Sequence, residues 1–307
     1  MKAYLVRRLL ILLPVLLGVI TLIFSLIHII PGDPVVAMLG EQASNADVQD
    51  LREKLKLNEP LHMQYLLYLK CLIKGDLGTS LITEEPVLHI ILKHYPATIE
   101  LALVSIVIAI ALSLPLGIIS ATHKNKPVDH LSRLLALLGL SMPNFWLGPM
   151  LIIIFSLKLN FFPVSGPGGL DHLILPAVTL GTAMAAFLTR MIRSSMLEEL
   201  SKDYIRTARA KGLSKWRIIY KHALKNALIP VLTIVGLQLG ILLTGAIITE
   251  TIFSWPGIGR MTIQAIHQRN YPLVQGAILF ISANYIFINT ITDIAYAWLN
   301  PRIRFQK

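Results

Sequence analysis

Cysteine, charge and enzyme motifs are all scarce in this sequence, and each shortage excludes a class of protein. A single cysteine, Cys71, among 307 residues excludes an internal disulfide and a cysteine-based zinc cluster. Only 15% of the residues are charged, whereas soluble domains carry about 25%. With 54% hydrophobic residues, the composition fits a lipid bilayer and excludes a disordered chain or a nucleic-acid-binding domain.

The sequence also lacks the short motifs of common enzymes. No HExxH zinc motif, GxSxG nucleophile elbow, GxxxxGK(S/T) phosphate loop or CxxC pair occurs, and the nine histidines are scattered without metal-ligand spacing. We therefore expect a chain that is not an enzyme, holds no metal and binds no cofactor itself. If such a chain moves a solute against a gradient, the energy comes from an ion gradient or from another subunit.

Long apolar runs are the strongest feature that is present. A membrane-crossing helix needs about 20 mostly apolar residues, and six such runs occur. They cover residues 9–30, 98–121, 131–157, 173–192, 228–249 and 273–299. The first run is longer than the apolar part of a secretory signal and meets a proline turn, so we interpret it as a retained span rather than a cleaved leader. The sequence therefore predicts an all-α membrane protein with six transmembrane helices.

The distribution of charge predicts which way the chain faces. Lys and Arg accumulate in short loops on the cytoplasmic side of a membrane. With the N-terminus inside, the inner segments hold 19 of the 28 basic residues and four acids, while the outer segment 31–95 holds nine acids and six bases. Both termini are therefore predicted to be cytoplasmic, and the net charge of +11 is mainly an orientation signal.

These features divide the chain into four parts. They are an N-terminal tail with the first transmembrane helix (1–30), an extracytoplasmic helical segment (31–95), a core of five transmembrane helices (96–300) and a cytoplasmic tail (301–307). Within the outer segment, Ser44 or Asn45 caps a predicted helix over 47–57, and a second amphipathic helix covers 61–73. Two interpretations stay open for this pair: a hairpin on the membrane surface, or a docking surface for an external partner.

The most charged part of the core is the inner loop 193–227, between the fourth and fifth spans. Apolar residues recur within it, which predicts two short helices separated by a turn at Gly212. Glycine there can take the left-handed conformation that ends a helix. The small residues Ala208 and Ala210 would let another protein approach the backbone closely. The alternative is an ordinary solvated basic loop.

Polar residues inside the spans mark a candidate translocation path. Ionisable groups are costly in a membrane and usually face a cavity or a partner. The candidates on the fifth and sixth spans are Gln238, Ser282, Asn289 and Asp293. Hydrogen bonding between helices is the equal alternative, and Asp293 has the further alternative of pairing with Arg302 or with another chain. Gly236, Gly240 and Thr244 form a small-residue series that permits close helix contact.

Motifs along nearly the whole chain resemble those of one family of permeases. The segments 203–214 and 221–230 resemble the EAA loop of ABC-importer permeases, specifically of the dipeptide/oligopeptide/nickel family. Other matching segments lie at 31–34, 55–61, 75–80, 96–102, 141–146, 175–181, 253–260, 269–272 and 300–304. Their order and spacing resemble the first of the two paired permeases of such systems. In the loop itself, Arg206 stands where the general pattern has its first Glu, as in the peptide-type variant.

The resemblance implies a type I ABC importer-like permease in the bacterial cytoplasmic (inner) membrane. A homologous second permease completes the pore, two cytoplasmic ATPases bind ATP and Mg, and an extracytoplasmic binding protein delivers the substrate. Peptides are the expected substrate, with glutathione or nickel chelates as alternatives. The ATPase-coupling residues implied by the resemblance are Asp203, Tyr204, Ala208, Ala210, Gly212 and Leu213. The resemblance also implies a loop on the binding-protein side, which contains Trp255, Pro256, Gly257 and Arg260.

Three other functions compete with this one. A self-sufficient secondary transporter would need paired broken helices and an ion site at the midplane, whereas the sequence shows one membrane aspartate and no inverted repeat. An intramembrane enzyme would need a nucleophile beside a base, and no such constellation is found. A pure assembly scaffold is disfavoured by the polar stripe of the sixth span.

Overall fold

A computed structural model describes residues 14–25, 35–36, 44–54 and 56–299. In that part of the chain the regular elements are helical, and the one exception is an isolated β-bridge between Thr79 and Pro86. The all-α prediction is therefore confirmed. Both predicted tails, the ends of the first predicted span and the proline turn at 31–34 lie outside the described residues.

The helices of the described residues are named α1 to α12 in chain order. They are α1 (Pro14–Ser25), α2 (Asn45–Lys54), α3 (Leu61–Ile73), α4 (Val87–Thr122), α5 (Pro127–Ser141), α6 (Asn144–Leu151), α7 (Leu170–Ser201), α8 (Asp203–Ala210), α9 (Leu224–Leu243), α10 (Ile247–Ile252), α11 (Ile258–His267) and α12 (Tyr271–Leu299). One π-helical segment, Ile152–Lys158, follows α6, and a second, Arg217–Ala223, precedes α9. Within the described ranges, four helices are long and apolar enough to cross a membrane, and the α5–α6 pair makes a fifth candidate.

The third predicted span needs correction, because it is two helices rather than one. α5 and the helix from Asn144 to Lys158 meet at an angle of 101°. Met142, just before Pro143, has extended backbone (φ −85°, ψ 114°), since a proline disfavours the helical conformation of the residue that precedes it. The break lies inside an apolar run, so hydropathy alone shows no interruption there.

The fifth span also ends earlier than predicted, at Leu243 rather than Thr249. Gly245 has a φ of +100°, and a Cβ on it would lie 2.9 Å from the Gly259 backbone. The chain turns at a glycine because other residues fit neither this conformation nor this contact. Asn284 of α12 donates a hydrogen bond (3.1 Å) to the Leu243 carbonyl, one of those that a helix end leaves unpaired.

The two predicted outer helices are present with small shifts of their ends. α2 begins after Ser44, whose hydroxyl accepts a hydrogen bond from the Asp47 N–H (3.1 Å). α3 lies against α1, with the hydroxyls of Thr21 and Tyr65 2.7 Å apart and the rings of Phe24 and Tyr65 5.2 Å apart. The second outer helix is therefore packed against the first predicted span.

α4 and α7 form the centre of the bundle. A Cβ on Gly181 would lie 2.9 Å from the Ser105 carbonyl oxygen, and a Cβ on Gly117 would lie 2.6 Å from Cγ2 of Ile192. Both helices thus approach closely because glycine stands at the contact. The same hydrophobic core extends to α8, where Ile205 is fully buried. The inner loop is therefore packed onto the spans as part of their core.

Candidate functional site

The inner loop 193–227 folds into a short helix, a glycine turn and a second helix. Gly212, just after α8, has a φ of +74°. Its N–H donates a hydrogen bond to the Arg209 carbonyl (3.0 Å), and the Leu213 N–H donates to the Ala208 carbonyl (3.2 Å). This pair of bonds is a Schellman cap, which places one residue in the left-handed conformation. The helix-ending glycine predicted from the sequence is therefore observed.

α8 is amphipathic, with one face in the core and the other exposed. Ile205 is fully buried and Ala208 is 7% exposed. Asp203 and Arg206 point outward, with 93% and 75% of their side chains exposed. The small side chain of Ala208, predicted to let another protein approach, packs on this chain's own core. Ala210 is exposed and available for close approach.

Polar contacts tie α8 to the helices on either side of it. The Tyr204 hydroxyl donates to a Glu199 carboxyl oxygen (2.5 Å) and accepts from the Asn226 amide (3.1 Å). Glu199, near the end of α7, is 9% exposed and also accepts from the Lys202 ammonium (2.5 Å). These four side chains, named here the Tyr204 latch, join the end of α7 to α8 and to the start of α9.

The latch shifts the ionisation of its members beyond the spans. The hydrogen bond to Glu199 raises the pKa of Lys202. Burial, and then the hydrogen bond to Glu199, raise the pKa of Tyr204. Tyr204 therefore stays a neutral donor, and Lys202 stays a cation, throughout the neutral range. Sequence reasoning selected Tyr204 but missed Glu199 and Asn226, although a Glu three residues before a Lys is a typical helical ion pair.

A cleft of about 670 Å³ lies beside the helix, on the side assigned to the cytoplasm. Its polar lining is basic, from Lys124, Arg209 and Lys215, and Leu213 contributes to its apolar lining. Positive charge on such a surface is complementary to an acidic patch on another protein. The loop thus presents a firmly attached, positively charged helix, which suits it to contact a second protein.

The four candidate path residues lie along α9 and α12. A Cβ on Gly236 would lie 2.5 Å from Cγ2 of Thr292, and a Cβ on Gly240 would lie 3.4 Å from Oδ1 of Asn289. Asn289 therefore faces α9, but its Oδ1 is buried without a hydrogen-bond partner among the described residues, so the hydrogen bond between helices that was the alternative for this residue is not seen at that atom. The other three candidates are partly buried on the same two helices: Gln238, Ser282 and Asp293. Within the described ranges, no three His, Cys, Asp or Glu side chains are placed to hold a metal ion.

The outer loop is organised around a buried carboxyl group that sequence reasoning did not single out. Glu250 is fully buried, and its oxygens accept hydrogen bonds from the Thr98 hydroxyl (3.0 Å) and the Arg260 N–H (2.9 Å). Gly257 lies directly against this carboxyl, where a Cβ would clash. Thr98 in turn accepts a bond from the Ile258 N–H (2.9 Å). Glu250 thus fixes the loop to α4.

Trp255, the most prominent residue of that loop, points inward. Its side chain is 3% exposed, and its Nε1–H donates to the Ala97 carbonyl (2.8 Å). The indole therefore anchors the loop on the core. Pro256 and Arg260 keep part of their surface accessible, and they are the candidates left for direct contact with an outer partner.

Two protein families together match almost the whole chain. The family described as binding-protein-dependent transport system inner membrane component matches residues 113–305, and the N-terminal family of such membrane components matches residues 1–102. The dipeptide transport system permease protein DppB of Alkalihalophilus pseudofirmus is 48% identical, over 99% of this chain and 100% of its own length. The glutathione transport system permease protein GsiC of Salmonella paratyphi A is 41% identical over the full length of both chains.

A solved structure shares the fold at lower identity. In the inward-facing MetNI methionine ABC transporter, one chain matches with a TM-score of 0.57 and 17% identity. The match covers 70% of this chain and 99% of that one. At this identity the likeness concerns the helical architecture alone, and it confirms the fold class predicted from the sequence.

Proposed function

The chain belongs to the family of binding-protein-dependent transport system inner membrane components, and on that premise we propose that it forms half of the translocation pore of a di- and oligopeptide importer. As a family member it is a non-catalytic permease of an ABC transport system in the inner membrane, with ATPase and binding-protein partners. The other half of the pore would be a homologous second permease. ATP and Mg would bind to the ATPases, and this chain would hold no cofactor.

In this proposal α8 is the helix that couples the permease to an ATPase. Coupling requires that the partner make different contacts in two global states of the complex. The exposed side of α8 would rest in a groove of the ATPase, with Asp203, Tyr204, Ala210 and Gly212 at the contact. Leu213 and the buried Ala208 would support the helix from behind.

The observation that carries this assignment is the way α8 is attached to the spans. Its inner face is part of the hydrophobic core, the Tyr204 latch joins it to α7 and α9, and the Schellman cap fixes its end. A helix held at three places moves with the spans, so a movement of the ATPase would be passed on to the pore rather than absorbed by a flexible loop.

Peptides are the favoured substrate class. The relative with 48% identity is named a dipeptide permease, and the one with 41% identity a glutathione permease. Glutathione is itself a tripeptide derivative, so both names point to short peptides with charged termini. A nickel chelate is the remaining alternative, and neither of these two names supports it.

Reconstitution into vesicles tests the proposal. The full-length chain, its partner permease, the two ATPases and the binding protein are assembled with ATP inside, and uptake of labelled dipeptide, glutathione and nickel chelate is compared. We expect concentrative uptake of dipeptide that stops when ATP is withdrawn and continues when the proton gradient is collapsed. Concentrative uptake by this chain alone would overturn the proposal in favour of a secondary transporter.

Residues of the outer loop and of the spans complete the proposed permease. Trp255 and Gly257 would shape the loop, and Pro256 and Arg260 would face the docked binding protein. In the pore, Gln238, Ser282, Asn289 and Asp293 would line the route, although the contact of Asn289 with α9 favours a structural role for that residue. Cross-linking from Pro256→Cys to the binding protein would test the loop assignment, and no cross-link in the peptide-loaded complex would contradict it.

A further inference from the structure

A buried ion pair organises the cytoplasmic end of α5. Asp129 is fully buried, and its two carboxyl oxygens accept hydrogen bonds from Nε and a terminal nitrogen of Arg193, both at 2.8 Å. Ser120 donates a third bond (2.5 Å) and the Asn125 N–H a fourth (2.9 Å). Arg193 is therefore held in one orientation by a two-pronged contact that leaves little freedom to its guanidinium.

Two further arginines surround this pair. Arg133 lies one turn beyond Asp129 on α5, with Nε 3.4 Å from the carboxyl and its side chain 44% exposed. Arg190 lies one turn before Arg193 on α7 and is exposed. Together with Leu137, the three arginines line a cleft of about 300 Å³ between the two helices. Since Asp129 neutralises one of the three cations, the cleft has a net charge of about +2.

The predicted spans and orientation put the cleft at the level of the inner-leaflet headgroups. α5 begins just after a short connection on the cytoplasmic side that contains Lys124 and Lys126. The predicted span within α7 ends at Ile192. Leu137, the apolar residue that lines the cleft, is 55% exposed, and Leu131, Leu134, Leu135 and Leu138 elsewhere on α5 are each between 48% and 56% exposed. A cation cluster on a helix with exposed apolar side chains is complementary to a molecule with an anionic head and hydrocarbon tails.

We propose that this arginine cleft binds the phosphate group of an anionic phospholipid of the inner leaflet. Arg190 and Arg133 would donate to the phosphate oxygens, because a guanidinium offers paired N–H groups that match phosphate geometry. Arg193, whose position is set by Asp129, would complete the positive end of the cleft. The lipid tails would lie on the leucine surface of α5. This site is independent of the substrate carried and of the coupling helix.

Lipid retention by the purified chain tests the proposal. The full-length protein is mixed with equal amounts of phosphatidylethanolamine and phosphatidylglycerol, and bound lipid is counted by native mass spectrometry. The double variant R133Q/R190Q leaves the buried ion pair intact. We expect its preference for phosphatidylglycerol to fall by about thirtyfold, since each arginine near an anionic surface contributes about fivefold. The matched control R217Q removes an exposed arginine of the same membrane side, outside the cleft, and should keep the preference.

Each other outcome would overturn the proposal. An unchanged preference in R133Q/R190Q, or an equal fall in R217Q, would show that the cleft does not select the lipid. If inorganic phosphate at millimolar concentration displaces phosphatidylglycerol completely, the site takes a free anion rather than a lipid. If the isolated chain prefers phosphatidylglycerol but the assembled transporter does not, a protein subunit covers the cleft. Should the double variant unfold, the single variant R190Q at an exposed position decides the question.

Discussion

The glycine turn after α8 offers the sharpest test of coupling. Gly212 has a φ of +74°, and a Cβ on it would meet nothing within 4 Å. Any substitution there therefore acts through the backbone and not through a steric clash. The left-handed conformation costs an ordinary L-residue about 1–2 kcal/mol, and asparagine much less. Gly212→Val should thus weaken the Schellman cap by about that amount, which lowers the ratio of capped to uncapped helix ends roughly tenfold.

The assay is ATP hydrolysis by the reconstituted transporter, measured with and without binding protein and peptide. We expect Gly212→Val to insert normally and to lose the stimulation by substrate, while basal hydrolysis remains. Gly212→Asn is the matched control, because it changes the same site and keeps the left-handed turn; it should retain most of the stimulation. Gly212→Ala should lie between them.

Two results would refute this reasoning. Normal stimulation in Gly212→Val would mean that the capped end of α8 plays no part in coupling. An equal loss in Gly212→Asn and Gly212→Val would mean that the side chain itself obstructs the partner, so the backbone argument would be wrong even if the position matters.

Three further substitutions test the contacts around the two loops. Tyr204→Phe removes a hydroxyl that bonds Glu199, and should lower stability by about 1–2 kcal/mol and reduce substrate-stimulated hydrolysis; an unchanged melting temperature would contradict the latch. Trp255→Ala empties a core position and frees the Ala97 carbonyl, so unfolding should become easier by about 3–5 kcal/mol, and binding-protein capture should weaken; unaltered capture would separate the loop from docking. Glu250→Gln turns one acceptor into a donor, and should lower the free energy of unfolding by about 1–3 kcal/mol, measured by thermal unfolding of the purified chain. The control is Glu84→Gln at an exposed outer position, which should show no change.

Hydropathy predicted most of the architecture because lipid imposes a strict requirement on every span. A run of apolar residues in a bilayer has to become a helix, whatever its neighbours are. Hydropathy averaged over a run of residues does not report the local backbone conformation. The Met142–Pro143 step breaks the third run at 101°, yet the two helices together stay apolar enough to read as one span. Pro143 favours the extended conformation of the residue before it, but a proline alone does not identify the bend, because Pro96, Pro115 and Pro176 lie inside continuous helices.

The buried contacts of the site were harder to predict, because they join distant parts of the chain. Glu250 looks like a loop residue in its local sequence, and its partner Thr98 stands 152 residues earlier. The partner of Ala208 was also ambiguous from the sequence. A small residue on a short helix permits the close approach of another segment, but it does not indicate whether that segment belongs to the same chain or to another protein. In the structure it is the chain's own core that approaches, and the outward side of the helix is left for a partner.

The contact between α9 and α12 has an evolutionary consequence. With threonine at position 292, an added methyl group at position 236 would have no room, because the two side chains would be 2.5 Å apart. Homologous permeases can accept alanine at the position of Gly236 only if the facing position loses its branch, for example by becoming alanine as well. Replacements at these two positions should therefore appear in pairs across the lineage, and never the larger residue at both.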